Sequence, residues 1–190
     1  MHPALKKLFE GPVGFSAQEE EQINNCFKPM TAKRNEMLVR KGNIARQLYF
    51  VLNGCLRVFL IGEEGNEWTR YLIFEGCMGT AFPSFILRQP SMAAVQSLEP
   101  SELLALSYDD RQTLLRTIPA FERWMRIGLE QDYIASIRRI ESLIMLDAKS
   151  RYQQLLDTHP ELIQRLPAKI IADYLGISKE TLSRLRARRK

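Results

Sequence analysis

The 190-residue sequence predicts an α+β fold: an N-terminal antiparallel β-roll, then one long helix, then a C-terminal cluster of short helices. Three observations carry this. Between residues 33 and 107, short runs rich in aromatic and β-branched residues recur at close spacing. From Pro119 to Leu146, apolar residues recur at helical spacing with no internal proline. Beyond 146 the helical patterns are short and punctuated by Pro and Gly.

The bulk properties narrow the function classes. With 45% hydrophobic and 26% charged residues the composition is that of a globular chain. No apolar run of about 18 residues suggests a membrane span. The N-terminus, MHPALKKLFEGPVGF, lacks the apolar core of a secretory signal, so the expected location is cytoplasmic. Cys26, Cys55 and Cys77 are odd in number and without CxxC spacing, which argues against disulfide, zinc and iron–sulfur chemistry.

The elements follow in order. Ser16 opens a helix over SAQEEEQINNCF (16–27), with acids in its first turn facing the positive end of the helix dipole. LYFVL (48–52) and CLRVFLI (55–61) read as strands, and Asn53-Gly54 between them is the strongest short hairpin signal. GEEG (62–65) punctuates the chain before EWTRYLIF (67–74), and further strands are expected near 93–97 and 102–106. YDDRQTLLRTI (108–118) reads as a short helix stopped by Pro119.

Pro119 suits the first turn of the long helix. Phe121, Trp124, Ile127, Ile134, Ile137, Ile140 and Ile144 place an apolar stripe on a helix of some 28 residues, near 40 Å at about 1.5 Å per residue. That exceeds what a small roll needs. The stripe packs either within its own chain or against the same helix of a second copy. Expected domains are a roll with flanking helices (1–118), the dimerisation helix (119–146) and a C-terminal helical domain (147–190).

The charge lies at the C-terminus. From Arg165 to Lys190 there are eight Lys or Arg against Asp173 and Glu180, a local +6 that leaves the other 164 residues at −1 of a total of +5. Such a concentration suits a polyanion. The same stretch holds two short helices joined by Gly-Ile-Ser. Gly176 can take the left-handed conformation that ends the first, Ile177 can plug the core between them, and Ser178 can cap the second. Ile170, Ile171, Tyr174, Leu175, Ile177, Leu182 and Leu185 give an inward face, and the small Ala172 lets the helices approach. Lys179, Glu180, Thr181, Ser183, Arg184, Arg186 and Arg188 lie on the other faces, early ones suited to base edges and later basic ones to phosphates. This pattern predicts a helix-turn-helix, with double-stranded DNA as the expected partner.

The stretches YFVLNGCLRVF (49–59), the long helix and IADYLGISKETLSRLRARRK (171–190) together resemble the CRP/FNR family of bacterial transcription regulators, from about Ser16 onward. The resemblance implies a cyclic-nucleotide-binding-like roll, a dimerising helix joined through Ile127, Ile134, Ile137, Ile140 and Ile144, and a winged-helix-like C-terminal domain. It implies homodimers on DNA, with RNA polymerase as a further partner. By the same likeness Lys179, Glu180 and Arg184 fall on base-reading positions, and Ser178, Thr181, Ser183, Arg186 and Arg188 serve phosphate. Lys179 stands where better-known members carry Arg. Only HPELIQRL separates the helix near 147–158 from Pro167, and the sequence stops at Lys190, so the β-wing is expected to be reduced or missing.

Cyclic-AMP-binding members of that family supply a Gly-Glu pair for the ribose and, downstream, Arg-Ser for the phosphate. Here Gly79 is followed by Thr80, and the Arg-Ser pair falls on Ser91-Met92, with Arg88 nearby as a substitute. A buried phosphate without a cation lacks its main compensation. The pocket expected from Met78, Gly79, Thr80, Phe82, Arg88, Ser91 and Met92 therefore takes another effector or none. No cofactor is expected: a four-cysteine cluster is impossible with three cysteines, and the only histidines, His2 and His159, lie outside the roll. The same absence removes a histidine-held metal or a nucleophile–base pair from the roll, so no catalysis is expected. A ligand-sensing module without DNA contact is the rival reading, and the basic second helix argues against it.

Overall fold

The computed structural model describes residues 3–9 and 13–187. The chain divides into two compact units, Met1–Gly128 and Leu129–Lys190. The boundary falls inside the long helix, which contributes its first ten residues to one unit and the rest to the other.

In the first unit, helices α1 (Pro3–Phe9) and α2 (Ala17–Cys26) precede eight strands: β1 (Phe27–Ala32), β2 (Met37–Val39), β3 (Gln47–Asn53), β4 (Cys55–Ile61), β5 (Glu67–Phe74), β6 (Met78–Gly79), β7 (Ala93–Ser97) and β8 (Ser101–Ser107). Helix α3 (Phe82–Leu87) interrupts the strands, and α4 (Tyr108–Thr117) follows them. Ser16 caps α2 in a reciprocal capping box with Glu19, as the sequence leads one to expect. Ser107 caps α4 in a similar way through Asp110 N–H.

All strand pairs are antiparallel and form two four-stranded sheets, ordered β1-β8-β3-β6 and β2-β7-β4-β5. Phe50, Leu103, Leu104 and Leu106 from one sheet meet Leu56, Val58, Ile73 and Val95 from the other in a common core. The turn 62–66 joins β4 to β5, as the glycines predict: Gly62 N–H donates to Asn66 O (2.9 Å), and Gly65 has φ +81°.

Asn53-Gly54 is not a hairpin. β3 pairs with β6 and β8, whereas β4 pairs with β5 and β7, so the chain passes from one sheet to the other at this bend. Only Gly54 takes a positive φ (+108°), and a Cβ there would lie 2.1 Å from Ser101 Oγ. Glycine is needed for close approach to β8 as much as for the turn.

Helix α5 spans Pro119–Met145. Phe121 and Met125 on its first turns join the roll core, where the Phe9 ring lies 4.6 Å from Trp124. Beyond Gly128 its apolar residues emerge: Ile134 is 41% exposed, Ile137 38%, Ile140 56% and Ile144 77%.

The second unit continues with α6 (Ala148–Thr158), capped by Asp147, then α7 (Pro160–Arg165), α8 (Ala168–Leu175) and α9 (Lys179–Ala187). No described residue of this unit is in a strand, and the segment between α6 and α8 folds as a helix rather than a wing. Tyr152, Leu155, Leu162, Ile171, Leu175 and Leu182 are among its buried apolar residues, drawn from all four short helices.

Candidate functional site

The α8–α9 pair is built from local signals. Gly176 is left-handed (φ +64°, ψ +41°), and its N–H and that of Ile177 close the end of α8 onto Asp173 O and Ala172 O. A Cβ at 176 would sit 3.3 Å from Leu143 Cδ2, so α5 packs against the turn. Ser178 Oγ accepts from Thr181 N–H at 3.1 Å and caps α9. Leu182 fixes the inward face, with Leu185 and Ile177 half-buried beside it.

The outward face of α9 presents Lys179, Glu180, Ser183 and Arg184, all exposed. Main-chain hydrogen bonding at the start of α9, then the Ser178 hydroxyl, hold the Glu180 carboxyl below its ordinary pKa. It is an acceptor only. Arg184 leans back along its own helix, with its Nη2 at 3.4 Å from Thr181 Oγ1, and Ser178 and Thr181 hydroxyls lie 3.1 Å apart. The Ser178 oxygen caps α9 as an acceptor, while both hydroxyls stand at its positive end, where anions are favoured.

Arg186 departs from its expected place. It is half-buried, and its Nη2 donates to Ile163 O (3.2 Å) on α7. It lies one helical turn after the buried Leu182, so the helix points it inward. Arg188 lies outside the described residues.

The roll has a cavity of about 260 Å³. Ser91 and Met92 line it, but Met78, Gly79, Thr80, Phe82 and Arg88 do not. Gly79 is closed off by Ile73, whose Cδ1 would stand 2.4 Å from a Cβ there. Thr80 is buried, with its hydroxyl oxygen unpaired. Arg88 is in the left-handed region at the end of α3, donates its Nη1 to Ala45 O (3.1 Å) and stacks 4.7 Å above the Tyr108 ring. Its guanidinium is thus engaged away from the cavity lining. Ser91 Oγ is committed to its own turn, donating to Ala93 O and accepting from Ala93 N–H.

The cation on the cavity wall is Arg70 of β5, which the sequence reading passed over. Solvent reaches it, yet the packing around its guanidinium lowers its pKa. Arg70 sits where the β4–β5 register slips beside Val58 and Phe59. Such a bulge re-aims a side chain, and nothing in the local sequence announces it. Leu60, Pro83, Leu87 and Pro90 make the rest of the lining largely apolar. Among the described residues no group of three His, Cys, Asp or Glu is placed to hold a metal ion.

Residues 29–117 match the cyclic nucleotide-binding domain family. The cAMP-activated global transcriptional regulator CRP of Pasteurella multocida is 24% identical over 158 residues, covering 78% of this chain and 76% of that protein. The solved structure of the c-di-GMP responsive global regulator CLP of Xanthomonas campestris superposes with a TM-score of 0.72 at 18% identity, covering 91% of each chain. FixK2 of Bradyrhizobium japonicum superposes with a TM-score of 0.73 at 14% identity, over 85% of this chain and 83% of that one. The match covers the roll, and the long helix and the α8–α9 pair follow it in the chain. In the order of its elements the chain is similar to regulators of the CRP/FNR type.

Proposed function

We propose that this chain is a homodimeric, sequence-specific DNA-binding transcription regulator that reads an inverted repeat and is not switched by cyclic AMP. The observation that carries this reading is the capped α8–α9 pair, which holds Lys179, Glu180, Ser183 and Arg184 on one exposed face. Arg184 pairs with the O6 and N7 of guanine, and the ionised Glu180 accepts from the N4 amino group of cytosine. Lys179 adds a further donor to base edges. Ser178, Thr181 and Ser183 contact phosphate beside the start of α9, with Arg188 further along. Two copies joined along Ile134, Ile137, Ile140 and Ile144 present two α9 helices to successive major grooves, about one helical turn apart.

The regulator works in the cytoplasm with RNA polymerase as its downstream partner, and it carries out no catalysis. The regulatory roles of its relatives support this. In the roll, Thr80 replaces the carboxylate that would hold a ribose, and Arg88 is turned to Ala45 and Tyr108. Arg70 supplies a cation from another strand but restores no ribose acceptor. The largely apolar cavity suits a small apolar effector, or DNA binding is governed by the amount of protein.

Selection of bound duplexes from a random library, with and without cyclic AMP, tests the reading. The expected result is salt-dependent recovery of one inverted repeat, unchanged by the nucleotide. Recovery of no duplex would favour the ligand-sensing module without DNA contact. Binding induced by micromolar cyclic AMP would overturn the assignment of the roll.

A further inference from the structure

We infer that Arg139 and Arg151 are positioning residues for DNA recognition. They fasten the α8–α9 turn to the end of α5 and to α6, so that the helix carrying the apolar seam sets the pitch of α9. This rests on the DNA-binding reading above.

The last carbonyls of a helix have no partner within it. Those of Ala172 and Asp173 are met by the N–H groups of Gly176 and Ile177. The next three are met by arginines from elsewhere in the unit. Tyr174 O accepts from Arg139 Nη2 at 2.6 Å, Leu175 O from Arg151 Nε at 2.9 Å, and Gly176 O from Arg151 Nη2 at 3.5 Å. Arg151 Nη1 donates to Leu146 O, immediately after α5 ends. One guanidinium thus bridges the negative ends of two helices, an arrangement that its planar fork allows and a lysine's single ammonium does not. Arg139 also stacks over the Tyr174 ring, 3.9 Å from its centroid, and Leu143 of α5 closes on Gly176. Ser178, which caps α9, lies two residues beyond the last carbonyl held. Water would satisfy carbonyls at an open surface. Two half-buried arginines from α5 and α6 instead give the turn a fixed direction.

The test uses the full chain as wild type, Arg139→Ala, Arg139→Lys and Arg151→Ala, on duplexes carrying the selected repeat with its half-site spacing changed one base pair at a time. Sedimentation and thermal melting identify the variants that remain folded dimers. The expected result for Arg139→Ala is binding to the best spacing at least about tenfold weaker, together with a flattened spacing preference. Arg139→Lys does not restore that preference. A merely destabilised protein would lower the active fraction at every spacing alike. If Arg151→Ala does not fold, Arg139→Ala decides alone. A folded, dimeric Arg139→Ala with wild-type affinity and spacing profile would overturn the inference while leaving DNA binding intact. A wild type that binds no duplex would instead bring down the DNA-binding reading, and the positioning role with it.

Discussion

Replacing Ile137 and Ile140 together by glutamate tests whether the exposed stripe of α5 is a seam between two copies. The exposures of Ile134, Ile137, Ile140 and Ile144 amount to about two whole isoleucine side chains per copy. At about 1.5–3 kcal/mol for a fully buried isoleucine, that is roughly 6–12 kcal/mol for two copies, against an association cost on the order of 4–15 kcal/mol. The balance is narrow enough for half the stripe to decide it. Ile137 and Ile140 carry nearly half of the exposed isoleucine surface, so their loss removes roughly 3–6 kcal/mol and adds four like charges to the seam. The dimer dissociation constant should rise at least about a hundredfold. Sedimentation at micromolar concentration measures it. The roll should melt as in the wild type, because the core contacts of α5 are made by Phe121 and Met125. A monomeric wild type, or a double variant that dimerises as tightly as the wild type, refutes the reasoning.

Other substitutions probe single contacts. Gly54→Ala combines a 2.1 Å approach to Ser101 Oγ with φ +108° and should cost about 2–4 kcal/mol in urea unfolding, whereas Gly128→Ala, in open space within α5, should be neutral or stabilise by about 0.5–1 kcal/mol. Arg184→Ala should relax preference at one base position and cost roughly 1–3 kcal/mol in duplex binding. Arg186→Ala should lower the melting temperature and leave the salt slope unchanged, because its Nη2 is held by Ile163 O. Burial pushes the Tyr49 hydroxyl from its ordinary value of 10.0 up to about 12. The unfolded chain therefore releases that proton first. The contribution is fully present below about pH 10 and is lost as pH rises towards 12, at up to about 1.4 kcal/mol per pH unit. Tyr49→Phe should abolish that part of the alkaline decline in urea midpoints.

Features closed within a few residues were legible in the sequence. The Ser16 cap of α2 and the Gly176–Ser178 turn each satisfy main-chain groups no more than five positions away. Asn53-Gly54 misled because turn propensity specifies a bend but not which sheet each strand joins. That choice is made by β6, β7 and β8, further along the chain. The roll pocket was legible as a place and not as a set of groups. Arg88 was near it in sequence and faces Tyr108, while Arg70 arrives through a bulge. Arg186 is a different case: its spacing from Leu182 already placed it on the inward side, and positive charge drew the assignment to phosphate instead.

The bend at Asn53-Gly54 also bears on how the protein ages. An asparagine before glycine is the pair most prone to deamidation, because the unhindered glycine nitrogen can attack the side-chain carbonyl carbon and close a succinimide. Here Asn53 is exposed, but Gly54 is buried and its N–H donates to Glu75 Oε1 at 2.8 Å. That bond to a carboxylate holds the proton that the nitrogen must lose before it can attack. Succinimide formation at Asn53 is therefore expected to be slower in folded chains than in those that have lost the Glu75 contact.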